Sequence, residues 1–418
     1  MKVLVIGGGG REHAIIKTLK KSPKITKLYA APGNGGIGQI AQCVPIKAAD
    51  IPAMVDFAQT EGIDFVMVAP DDPLALGMVD ALTAAGIPAF GPTQAAAILE
   101  SSKAFSKGLM EKYGIPTARY RVFDGDLEAA RRYIQEEGAP IVVKCDGLAL
   151  GKGVVVAQTV KEAEEALRAM MEEGQFGKSG TKVVIEEYMI GPEVTLLAFI
   201  DGKTIRTMPA AQDHKRVFDQ DQGPNTGGMG AFCPSPKYTP ELAELCMETI
   251  FRPTVEAMAK EGRPFKGVLY FGLMLTPEGP KVIEYNARFG DPEAQAILTL
   301  LETDLLEIFE AVVWERLSEL EIRWSQEAAC CVVLASGGYP GTYETGKLIT
   351  GLEEVPPEVT VYHAGTRFQN GNYYTTGGRV LGVTAKAPTL EEAVAKAYAA
   401  AEHIHFEGMH YRRDIGKK

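Results

Sequence analysis

Residues 140–159 read PIVVKCDGLALGKGVVVAQT. An apolar run ends on a glycine-rich loop, and its reading separates two kinds of nucleotide-binding fold. A Walker-type loop needs G-x-x-x-x-G-K followed by Ser or Thr, and it opens a helix. Here Gly147 and Gly151 are one residue too close, and Gly153 stands where the metal-binding hydroxyl belongs. The loop runs on into VVVA, a strand. The stretch therefore predicts a hairpin carrying a glycine flap. Such a flap can close over phosphates through backbone N–H groups. Lys144, inside the incoming strand, can aim its ammonium at the same charge. A flexible turn beside a surface lysine is the plainer alternative.

Two downstream stretches point the same way. VIEEYMIGPE (184–193) places Glu186 and Glu187 on a strand, where buried carboxylates need partners. A linker crossing there between two domains could read adenine through its backbone, and Glu193 could accept from ribose hydroxyls. A solvated acidic pair is the bland alternative. VIEYNARFGDPEAQ (282–295) says more. Glu284 and Asn286 alternate on one strand, so they share a face. Their oxygens are hard ligands suited to Mg²⁺. Arg288 continues that face with a fork for a carboxylate or phosphate.

Upstream, KVLVIGGGGREH starts at Lys2. It resembles a dinucleotide loop, but Glu12 replaces the third glycine and the second strand runs into APGNGG rather than an acid. The loop still offers N–H groups to an anion at a helix start. An NAD site, a plain tight turn and another phosphate ligand all remain open on these residues. His403, His405 and His410 have no common metal-site spacing.

The chain has 418 residues, 46 % hydrophobic and 23 % charged, which suggests two to four domains of a globular protein. A net charge of −11 with no basic patch argues against nucleic acid. The six cysteines include no C-x-x-C, which fits a reducing cytosol, and a cytoplasmic location is expected. No signal segment or membrane-length apolar run is visible. Residues 1–100 alternate strands and helices as a parallel α/β layer. A helix from about Ser102, a small antiparallel unit and a second set of strands come next. The long polar stretch QDHKRVFDQDQGPNTGGMGAF (212–232) has no periodicity, which suggests a functional loop.

Taken in order, Lys103, KCDG…GKG, EEY…GPE and IEYNARFGDPE resemble an ATP-grasp ligase. GGGREH, APGN, FGPT, QDHKR, GPNTGGMGA, GGYPG, HAGT, GGRVLGVTA and RRDIG extend the resemblance over essentially the whole chain, to the phosphoribosylamine–glycine ligase family. The resemblance implies an α/β and α+β multidomain ATP-grasp fold. Its parts would be an N-terminal parallel α/β domain (1–101), a central domain (102–115 and 188–325), a small lid (116–187) and a C-terminal domain (326–418). It implies ligation of glycine to 5-phosphoribosylamine with ATP and Mg²⁺ or Mn²⁺, through glycyl phosphate. The chain would be a monomer or weak homo-oligomer without nucleic-acid or membrane partners.

By the same resemblance, Lys103, Lys144, Gly151, Gly153, Glu186, Glu187 and Glu193 would contact the nucleotide. Glu284 and Asn286 would hold the metal. Arg288, Lys144 and Asp213 would carry the chemistry. The substrates would meet Gly8, Gly9, Gly10, Asp71, Asp213, Gly228 and Arg288, with Arg412 reaching the sugar phosphate. This chain departs from the family pattern at Asp71, where glutamate is usual, and in LYFGLML, which lacks the acid many ATP-grasp enzymes place there. An acyl phosphate hydrolyses, so a lid is expected to exclude water, with the 147–153 flap moving on hinges near 114–116 and 188–191.

Overall fold

The computed structural model describes residues 1–148, 153–172 and 181–417. Gly151 and most of the expected flap lie outside them. At the N-terminus, strands Lys2–Gly7, Lys27–Pro32, Gln42–Cys43, Phe65–Val68 and Ala89–Phe90 form a parallel sheet in the order third, second, first, fourth, fifth. Val3, Leu4, Val5 and Ile6 are all buried, as in a strand covered on both faces. The order reverses at the first strand, and a crevice opens at its carboxyl end. Gly7 turns there at φ 119° into helix Gly10–Leu19. After the fourth strand come two short helices, Asp71–Ala75 and Met78–Ala84, separated where Gly77 turns at φ 91°.

Ser102 caps helix Lys103–Tyr113 by accepting from the Phe105 N–H, and left-handed Gly114 ends it. The small domain is antiparallel: Tyr120–Asp124, Lys182–Glu187, Ile141–Cys145 and Val154–Ala157 lie side by side in that order. Helices Leu127–Glu137 and Val160–Met171 cover one face, burying Ile134, Leu167 and Met170.

In the central sheet, Lys266–Thr276 pairs with both Glu193–Asp201 and Gly279–Asn286. The second ladder slips at Gly272/Leu273, so Ile283 has no opposite residue. A bulge of this kind re-aims side chains, and it sits beside Glu284.

The division expected at 325/326 does not separate the sheets. Gln212–Asp213 and Gly230–Cys233 leave the central domain and pair into a sheet with Ala328–Ala335, Arg379–Ala387 and Thr360–His363. The long polar loop therefore hangs from the C-terminal sheet. Helices Glu293–Thr299 and Leu305–Val313 share one core with the N-terminal strands, with Phe309 stacked on Phe90 at 4.1 Å between ring centroids. N- and C-terminal units also meet directly. The His363 backbone N–H donates to His13 Nδ1 at 2.8 Å, and both rings are buried.

Candidate active site

The site begins with three lysines. Lys103 and Lys107 are one helical turn apart, so they share a face of their helix. Lys144 comes from the small-domain strand Ile141–Cys145. All three line a cavity of about 430 Å³ between the small domain and the central sheet. Lys103 donates to the Gly147 carbonyl (2.8 Å), Lys107 to Thr117 Oγ1 (2.7 Å) and Lys144 to the Ile283 carbonyl (3.1 Å). The second lysine carries no sequence motif of its own; its spacing from Lys103 was the available signal.

Glu186 lies between two of them, 3.2 Å from Lys107 and 2.9 Å from Lys144. Burial pulls the Lys107 ammonium down to about 8, with Glu186 opposing that shift. Glu186 also lines the cavity, but its side chain is committed to this ion triplet. Glu187 points the other way and pairs with Arg119 at 2.7 Å. Gly153 lines the cavity.

Glu284, which lines the cavity, belongs to a cluster of acids around Lys215. Lys215 Nζ stands 3.5 Å from Glu193 and 3.5 Å from Glu284. Burial works against ionising Glu284, but Lys215, then Lys144, Lys103 and Arg288, outweigh it and hold the carboxyl at about 2. Asp213 goes up to about 8, through burial first and then repulsion from Glu293, Glu193 and Glu284, against Lys215. Burial likewise raises Glu293, which hydrogen-bonds Tyr270. Lys215 and Glu293 were not singled out in the sequence, although both lie inside quoted stretches.

Asn286 and Arg288 gather around Glu100. The Ala287 N–H donates to Glu100 Oε2 (2.7 Å), and Arg288 Nη2 lies 2.9 Å from Oε1. In the amide orientation its neighbours require, Asn286 Nδ2 donates to Oε1 at 3.0 Å. Arg288 Nε is buried with no hydrogen-bond partner among the described residues. Asp71 and Arg11, from the N-terminal domain, line the same cavity.

A second cavity of about 330 Å³ adjoins, lined by Gly8, Gly9, Gly33, Asn34, Ala364, Gly365, Thr366 and Thr376. Asp291 and Arg379 line both cavities. Gly8 has no room for a side chain, because a Cβ would strike the Gly33 carbonyl. The Gly9 N–H is taken by Glu12 Oε2 at 2.6 Å. Gly10 is buried as the first helical residue and does not line the cavity; a Cβ on it would meet Gln295. Gly228 stands just behind the wall, its N–H donating to Thr226 Oγ1 (2.9 Å), while Gly227 faces the larger cavity.

Arg412 requires correction. Its side chain is fully buried, bonded to Asp414 (2.8 Å), Asp221 (2.9 Å) and the Arg216 carbonyl (3.1 Å), and it lines neither cavity. The arginine that the C-terminal domain brings to the site is Arg379. Its Nη1 donates to the Asp291 and Gly227 carbonyls at 2.6 and 2.8 Å. Among the histidines, His410 meets the Val217 carbonyl and His403 faces Glu354, so the two rings serve different places.

The domain models of phosphoribosylglycinamide synthetase match in sequence: its N domain over residues 1–100, its ATP-grasp (A) domain over 101–294 and its C domain over 329–418. The phosphoribosylamine–glycine ligase of Caldanaerobacter subterraneus is 50 % identical over 415 residues, 99 % of each chain. This chain belongs to the phosphoribosylamine–glycine ligase family. The ligase of Rhizobium meliloti is likewise 50 % identical, across 100 % of this chain and 98 % of its own. The crystal structure of the Thermotoga maritima phosphoribosylamine–glycine ligase superposes with a TM-score of 0.85 at 34 % identity, covering 99 % of this chain and 100 % of that one. A biotin carboxylase domain from Hydrogenobacter thermophilus, solved with MgADP and bicarbonate, has a TM-score of 0.75 at 18 % identity over 98 % of this chain and 91 % of its own; this likeness concerns the fold alone. Family membership removes the NAD reading of the first loop and leaves ATP as the nucleotide of an ATP-grasp ligase.

Proposed function

We propose that the chain joins glycine to 5-phosphoribosylamine with cleavage of ATP, giving glycinamide ribonucleotide, ADP and phosphate in purine biosynthesis. One observation carries the reading. The larger cavity gathers three lysines, an ionised Glu284 and Arg288, and a second cavity joins it at Asp291 and Arg379. One chamber suits a nucleotide and a carboxylate, and the adjoining one suits a sugar phosphate.

A carboxylate is a poor electrophile because its leaving group would be oxide. Phosphorylation by ATP converts glycine to glycyl phosphate, and the ribosylamine nitrogen then attacks the acyl carbon as phosphate leaves. No enzyme nucleophile is required, so the protein contributes positioning and charge. Lys103, Lys107 and Lys144 receive the phosphates, and Glu193 the ribose. Arg288, whose Nε has no partner among the described residues, receives the glycine carboxylate. The Gly8–Gly9 loop and Arg379 frame the ribosyl phosphate, while Asp71 and Asp213 face the acceptor side.

Glu284 and Asn286 fit a divalent cation. A carboxyl held at about 2 remains anionic, and carboxylate and amide oxygens are hard donors. They would hold Mg²⁺ or Mn²⁺, which supplies charge neutralisation on the transferred phosphoryl group.

Phosphate release, assayed with each substrate omitted in turn, tests the function; it is expected to require ATP, glycine and phosphoribosylamine together. Unchanged release without glycine would overturn it. Glu284→Gln should lower turnover by at least two orders of magnitude with circular dichroism unchanged. Near-normal turnover at saturating Mg²⁺ would remove the metal assignment.

A further inference from the structure

Glu100 stands at the end of helix Gln94–Ser101, two residues before the cap of the helix that carries Lys103. It is buried, and its two oxygens take donors from three consecutive residues: the Asn286 amide, the Ala287 N–H and the Arg288 guanidinium. Hydrogen bonding to an anion is stronger and more directional than between neutral groups. We propose that Glu100 is a positioning residue that orients the metal-binding amide and the carboxylate-binding arginine together. The inference rests on the assignments given above for Asn286 and Arg288.

Donors and acceptors decide the orientation of each group. An amide presents nitrogen on one side and oxygen on the other. With Nδ2 spent on Glu100, Asn286 keeps its oxygen for a cation. Arg288 is held at Nη2 by Glu100 and at Nη1 by the Phe289 carbonyl at 3.2 Å. Nε remains as its unpartnered donor among the described residues. Ala287, between them, is pinned by its backbone. A neutral amide at position 100 would offer one acceptor to the three donors and add a donor of its own, so both neighbours would lose their fixed orientation.

The test uses full-length Glu100→Gln, Glu100→Asp and Glu284→Gln beside the parent. Mn²⁺ affinity in the presence of ADP is read by electron paramagnetic resonance of the free ion, and glycine KM by steady-state assay. Glu100→Gln is expected to weaken Mn²⁺ binding and raise glycine KM, each at least tenfold, while metal-free ADP affinity stays within twofold. Glu100→Asp, which keeps the charge, should recover part of both. Should Glu100→Gln not fold, Glu100→Asp is read alone, with smaller shifts in the same two quantities. A lowered melting temperature with both quantities unchanged overturns the proposal, as does a change in only one of them. If Glu284→Gln also leaves Mn²⁺ binding intact, the metal assignment itself fails; if Glu284→Gln alone impairs it, only the role of Glu100 falls.

Discussion

Glu186 lies 3.2 Å from Lys107 and 2.9 Å from Lys144, nearly out of contact with solvent. Removing one member of a buried ion cluster leaves uncompensated charge, at a cost of about 3–5 kcal/mol. Glu186→Gln should lower the melting temperature, and MgATP should raise the variant's midpoint by more than it raises the parent's, because phosphates supply the missing negative charge. Equal nucleotide shifts in thermal melts would place these lysines away from the phosphates. Arg412 makes the complementary case. Arg412→Met should cost about 1.5–3 kcal/mol in urea unfolding, the worth of its charge-assisted hydrogen bonds to Asp414 and Asp221, and leave the KM for phosphoribosylamine unchanged. At this scale the sequence was readable where strand alternation fixes geometry, as at Glu284 and Asn286. It was unreadable where a partner lies far along the chain. Nothing near Arg412 in sequence announces Asp221, and nothing near Glu186 announces Lys107.

Among the elements, the first loop was visible as strand, glycines, helix, and its surroundings were not. The walls it faces come from residues 364–366, 376 and 379, more than three hundred positions away. Gly8 is the constrained member, since the Gly33 carbonyl occupies the space of a Cβ. Gly8→Ala must push the two loops apart, at about 1–3 kcal/mol for overpacking. It should raise the KM for phosphoribosylamine selectively in steady-state assays; a rise confined to ATP would mean the cavities have been assigned in reverse. The bulge beside Glu284 shows the same limit. Period-two alternation predicts which residues share a face, but an unpaired Ile283 depends on the partner strand, which pattern alone does not register.

At the scale of the molecule, the joint between the first helix and the C-terminal sheet contains a titratable pair. Burial first, then His363 and Lys17, hold His13 down at about 3, and burial holds His363 at about 4. An unfolded histidine takes its proton near 6.5, so below that pH the unfolded chain binds more protons than the native one. Stability is therefore full above about 6.5 and falls as pH drops, levelling off only below the native values. By pH 5 the loss is about 2 kcal/mol per histidine. His13→Asn, which keeps an acceptor for the His363 N–H, should remove roughly half of the difference between urea midpoints at pH 7 and pH 5. An unaltered difference would place the acid sensitivity elsewhere.

The strand Gly230–Cys233, shared between units, bears on how such a protein could be divided or rebuilt. It is hydrogen-bonded to Ala328–Ala335 although the polar loop, not a linker, delivers it. A gene cut near residue 325 would yield one product with a stranded ribbon and another whose sheet has lost a covering neighbour. Each would present a bare edge, the template on which chains add to one another. The two products should precipitate when made apart and become soluble when made together, so recombination by exchange of whole C-terminal segments must carry residues 212–233 along with them.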